Sequence, residues 1–161
     1  MFPSAGARER FGDRGSADAD ALADPDRRLG LILEAANTAF SADPSEPIYL
    51  NSMEQLNYVS HEHWPLQPDV VREHDLEQLE VIGMVAIRRG DGSMAFWPTP
   101  DAREALRDVP AYLEKVADSS TSEAEESRLR GWVDRLRTGD VAVGATTGTL
   151  SGILVRVLLG G

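Results

Sequence analysis

Apolar residues along the chain fall into short blocks of helical and strand-like spacing. Leu29, Ile32, Leu33, Ala36 and Phe40 recur at intervals of three and four, which predicts a helix over 26–40 with one face turned to a core. Asp24 and Pro25 stand at its start as cap and first-turn residue. Leu76, Leu79 and Ile82 mark a second, shorter helix, and Gly83 supplies the left-handed residue that stops it. Two strand-like runs, Met84 to Arg89 and Met94 to Thr99, then flank Gly90-Asp91-Gly92, which tolerates the positive φ of a hairpin turn. Thr99-Pro100-Asp101 opens a helix with a hydroxyl cap, a first-turn Pro and an acid at the positive end of the dipole. Val109 and Pro110 break that helix and start another, containing Tyr112, Leu113 and Val116, which ends in the polar hinge Asp118 to Ser122. Leu129, Trp132, Val133 and Leu136 follow at i, i+3, i+4 and i+7, opened by Ser122 and Glu125 in capping-box spacing and closed by Gly139. This last stripe requires a partner surface: the helix over 26–40, the back of the hairpin, or a second copy of the chain.

The remaining stretches are less regular. Residues 1–24 are rich in Gly, Ala, Ser, Asp and Arg, too little apolar surface to offset the entropy of ordering, and are expected to form a disordered leader. Ile48-Tyr49-Leu50 is a short apolar run with strand character. Asn51 or Ser52 is then expected to cap a short helix in which Met53, Leu56 and Tyr58 or Val59 point inward. The loop His61 to Pro68 contains two prolines, with Trp64 and Leu66 positioned to pack it onto the domain.

Leu76-x-x-Leu79-x-x-x-Gly83, the Gly-bearing hairpin, Thr99 and the helix to Leu106 together resemble the second half of the winged-helix superfamily, which includes many bacterial transcriptional repressors. The resemblance covers residues 26–108. It implies that the helix ending at Gly83 is the recognition helix, that the hairpin is the wing, and that Ile48 to Leu50 is the small strand pairing with it. Eight residues separate Ser60 from Asp69, a longer turn than the three or four of a compact helix-turn-helix. The expected fold class is mainly α with a small β-hairpin (α+β). Its parts are the leader 1–24, a winged-helix-like domain over 25–108, a helical extension over 109–139 and an apolar tail over 140–161.

Charge changes what the resemblance implies about function. The formal net charge is −11, from 27 acids and 16 bases, of which Lys115 alone is lysine. Binding to nucleic acid draws most of its affinity from cations set against phosphates. The polar positions of the expected recognition helix are Asp69, Arg72, Glu73, His74, Asp75, Glu77, Gln78 and Glu80, five acids to one arginine. By the resemblance, Arg88 and Arg89 on the wing and Arg103 and Arg107 on the next helix occupy phosphate-contact positions.

Candidate chemistry is sparse. There is no cysteine, so a disulfide framework, thiol chemistry and cysteine-ligated zinc are excluded. Ser, His and Asp occur, but without a nucleophile elbow, phosphate loop or dinucleotide fingerprint, and no catalytic residue or cofactor is expected. His61, His63 and His74 with Glu62, Glu73 and Asp75 are too loosely spaced for a metal site to be expected. Residues 141–161 have one charged side chain, Arg156, and glycines at 144, 148 and 152, a four-residue repeat that on a helix forms a groove open to close backbone approach. Fifteen residues from Val141 to Val155 make about 22 Å of helix against roughly 30 Å of hydrocarbon, so spanning is marginal. No secretory signal opens the chain, and a cytoplasmic home, with membrane association through 141–159 as a variant, is expected.

The preferred expectation is a non-catalytic module for protein interaction or self-association. Its partner-binding residues are Arg72, Glu73, Glu77, Arg88, Arg89, Arg103 and Arg107, and Gly144, Gly148 and Gly152 make oligomer or membrane contacts. The alternatives are a DNA-binding regulator acting through the wing arginines and a membrane-associating effector acting through the tail. No small-molecule substrate is indicated.

Overall fold

Helix α1 (Pro25–Ala42) begins where the Asp24 carboxylate accepts the Asp26 N–H at 3.1 Å, with Pro25 in the first turn. The structure is a computed structural model that describes residues 23–54, 56–139 and 149–160. The side chains of Ile32 and Leu33 on α1 are fully buried; burial of such side chains contributes about 1.5–3 kcal/mol each. Strands β1 (Ile48–Met53) and β2 (Leu56–Ser60), helix α2 (Glu73–Val81) and strands β3 (Val85–Gly90) and β4 (Ser93–Pro98) follow. Helices α3 (Pro100–Arg107), α4 (Val109–Asp118), α5 (Glu123–Thr138) and α6 (Thr149–Leu158) complete the order. The described residues thus form six helices and one four-stranded antiparallel sheet of order β2-β1-β4-β3, an α+β architecture.

Register assigns the two faces of the sheet. Ile48 pairs with Phe96 and Phe96 with Ile87; Leu50 pairs with Met94 and with Val59. Because side chains alternate, these residues share the inner face, against which α1 packs through β1 and β4. Tyr49, Tyr58, Ala95, Trp97 and Arg88 share the outer face. Trp64 packs edge-on against Phe96, centroids 5.9 Å apart, and brings the His61 to Pro68 loop onto the inner side.

The short helix expected after Ser52 is absent: residues 56–60 are the edge strand β2, joined to β1 by a tight turn in which Glu54 has a φ of +52°. Met53 and Leu56, expected to point inward, are 58% and 70% exposed. Met53, Leu56 and Val59 fit a spacing of three, but pairing with β1 decides for the strand. The helix expected from Asp69 starts only at Glu73, after Val71 has entered the core.

Ser122 caps α5 by accepting the Glu125 N–H at 3.3 Å, and Gly139 ends it at a φ of +82°. Within the chain, the α5 stripe packs chiefly on α4 rather than on the helix over 26–40 or the back of the hairpin. Leu129, Val133 and Leu136 pack against α4, because the hinge at 119–122 is short enough to fold the two helices onto each other. Helix α6 lies on α1, with Leu154, Val155 and Val157 fully buried.

Candidate partner-binding surface

Three elements meet where α2 ends. Gly83 takes a φ of +76°, and its N–H and that of Met84 return to the Glu80 and Leu79 carbonyls at 3.0 Å each. The Thr99 hydroxyl donates to the Gly83 carbonyl at 2.6 Å and accepts the Ala102 N–H at 3.2 Å, while its N–H reaches the Met84 carbonyl at 3.0 Å. One residue therefore ties the end of α2, the start of β3 and the start of α3. The β3–β4 hairpin turns through Gly92, whose φ is +74°.

At the other end of α2, Asp75 is 1% exposed. Its carboxylate accepts from Arg28 of α1 at 2.9 Å and from the Arg72 backbone N–H at 3.1 Å. A buried carboxylate with a guanidinium and a helix N–H as donors is satisfied where it stands. Asp75, by its position in the pattern one of the outward acids, is turned into the interior as a clamp between α1 and α2. Glu73, His74 and Glu77 remain exposed, and Glu80 lies 3.4 Å from Arg89.

The arginines do not form one belt. Arg89 is on the inner face of the hairpin and lines, with Glu73, Leu50 and Met94, a cleft of about 240 Å³ between the α2 N-terminus and the turn. Arg88 points to the opposite face. Arg103 stacks over the Phe40 ring at 5.1 Å from its centroid. Arg72 caps α2 through its backbone, and Arg107 is exposed in the last turn of α3. Arg88 and Arg107 make no ion pair among the described residues. The histidines diverge as well. The His61 ring is buried, its Nδ1 accepting the His63 N–H at 3.0 Å, while His63 and His74 are exposed. Among the described residues no group of three or more His, Asp or Glu is gathered as for a metal ion.

Of the tail glycines, Gly144 and Gly148 lie outside the described residues. Gly152 sits at the crossing of α6 with α1, opposite Gly30: a Cβ on Gly30 would stand 2.5 Å from the Gly152 nitrogen. The Glu34 carboxylate faces the same crossing and accepts a hydrogen bond from Ser151; burial there pushes its pKa up. Sequence reasoning missed Gly30 and Glu34, although a glycine inside a strong apolar stripe is itself a sign of close helix approach. No helix among the described residues is long and apolar enough to cross a membrane.

A second concavity, of about 290 Å³, opens where the segment 44–47 leaves β4, between that segment, Phe40, Trp97 and Arg88. Neither a protein-family model, nor a curated protein, nor a solved structure matches this chain.

Proposed function

We propose that this chain is a non-catalytic, winged-helix-like module that binds another protein through the solvent face of α2 and the adjoining β3–β4 hairpin. The observation that carries the reading is the sign of that face. Glu73 and Glu77 are exposed, Glu80 occupies Arg89, and the one buried acid, Asp75, is already paired with Arg28. An acidic helix set against phosphates is repelled and has nothing to offset its lost hydration, whereas with a basic polypeptide attraction between opposite charges offsets that loss. The Gly-terminated helix, the hairpin and the pairing of β1 with β4 support the winged-helix comparison; the β1–β2 hairpin, standing where that family has its second helix, departs from it.

The test sets a lysine- and arginine-rich peptide against duplex DNA. The peptide binds with an affinity that falls as salt rises, and Glu73→Gln with Glu77→Gln weakens it. DNA at low salt gives no electrophoretic shift. A DNA complex with a steep salt slope, abolished by Arg88→Gln with Arg107→Gln, would overturn the reading in favour of a transcriptional regulator, for which the two unpaired arginines are the supporting observation. The membrane alternative gains no support from α6, whose Ile153, Leu154, Val155 and Val157 side chains are buried in the protein core.

A further inference from the structure

At the end of the sheet, β1 ends its pairing with β4 at Ile48 and Phe96, and the preceding segment 44–47 and Trp97 line a gap between them. The gap is the 290 Å³ cleft, close to the lower end of sizes that hold small molecules. Its walls are apolar and stiff: the rings of Phe40 and Trp97, and Pro44 and Pro47, whose φ angles are fixed by their rings. Trp97 is 37% exposed, although its neighbours in the strand, Phe96 and Pro98, are buried.

Two charged side chains line the cleft, Glu46 and Arg88. The Glu46 carboxylate is engaged elsewhere: it accepts the Glu62 N–H at 2.8 Å and lies 3.4 Å from the buried His61 ring. The Ser45 hydroxyl is likewise committed, donating to Asp43 at 2.6 Å. Arg88, paired in register with Ala95 on the cleft floor, makes no ion pair among the described residues. A second guanidinium, that of Arg103, lies on the Phe40 ring. A largely apolar cleft with one uncommitted guanidinium among its lining residues matches one kind of ligand, because arginine holds a carboxylate through two parallel hydrogen bonds while the rings take the apolar body.

The geometry points to a binding site for a small aromatic carboxylate in this cleft, with Arg88 holding the carboxylate and Trp97 and Phe40 flanking the ring. The site is independent of the acidic α2 surface, since no residue of α2 lines it.

Titration of the full chain with 2-naphthoate, followed by calorimetry and by chemical-shift changes at the Trp97 indole, tests it. The acid binds saturably with a dissociation constant below about 1 mM, and its neutral amide binds more weakly by about ten-fold or more. Arg88→Gln, a change at an exposed position, lowers the affinity for the acid to that for the amide, while Glu73→Gln with Glu77→Gln leaves it unchanged. Equal binding of acid and amide, retention of affinity in Arg88→Gln, or no saturable binding up to about 5 mM would each overturn the assignment.

Discussion

A single missing methyl group governs how the C-terminal helix docks. At Gly30 any Cβ meets backbone atoms of Ser151 and Gly152 at 2.7 and 2.5 Å, and backbone has nowhere to move without separating α1 from α6. Gly30→Ala is therefore expected to destabilise the protein by about 1–3 kcal/mol through overpacking, although alanine is the better helix former. Gly131 on α5 is the matched control, since nothing lies within 4 Å of its added Cβ; there the same change is expected to stabilise by up to about 1 kcal/mol. Urea unfolding of both variants checks the pair. Glu34, at the same crossing, has a pKa raised by burial, so its ionised form is disfavoured in the folded chain. Its penalty is absent below the ordinary value of 4.5, grows as pH rises above it, and is complete above the raised folded value. Glu34→Gln should accordingly match the parent in denaturation midpoint at pH 4 and exceed it increasingly toward pH 7. A constant difference across that range would contradict the assignment.

At the scale of elements, the helix-stop, hairpin and helix-start unit over 73–107 is held by local chemistry that the residues announce. Gly83, Gly92 and Thr99 each do there what their side chains, or lack of them, allow. Thr99 does more than cap α3, because its hydroxyl also donates to the carbonyl of Gly83, just past the end of α2. Thr99→Val keeps the shape and removes both hydrogen bonds, with an expected loss of about 1–2 kcal/mol and a fall in melting temperature of roughly 3–6 °C. The segment 52–60 is the opposite case. Its apolar residues Met53, Leu56 and Val59 fit a helical spacing, and only the ladder to β1 makes residues 56–60 a strand. The outward acid count on α2 failed for a related reason: Asp75 has a partner 47 positions away in Arg28, which no local pattern reveals.

For the whole molecule, the position of α6 matters most. It is integrated into the core, packing on α1 and α4, with Ile153, Leu154, Val155 and Val157 buried. Four such side chains, at about 1.5–3 kcal/mol each, compare with a total stability of 5–15 kcal/mol for a typical domain. Truncation at Asp140 is therefore expected to abolish cooperative unfolding, observed as loss of the sigmoidal urea transition by circular dichroism. A truncated chain that unfolds with the parent's midpoint would show the helix to be dispensable. The distribution of charge also belongs to this scale. The −11 net charge is a property of composition, but its consequence at the proposed interface depends on which acids are paired and which face solvent.

Periodicity and end chemistry act over a few residues, and what they govern could be read directly: the span and inward face of α1, the stop at Gly83, the turn at Gly92, the cap at Thr99 and the start and end of α5. Tertiary structure decided the partners: β2 as a strand beside β1, α5 against α4, Asp75 against Arg28, and Gly30 against Gly152. The physical reason is range. A cap or a turn is complete within its own segment, whereas a ladder, a buried ion pair or a helix crossing needs groups that only the folded chain brings together.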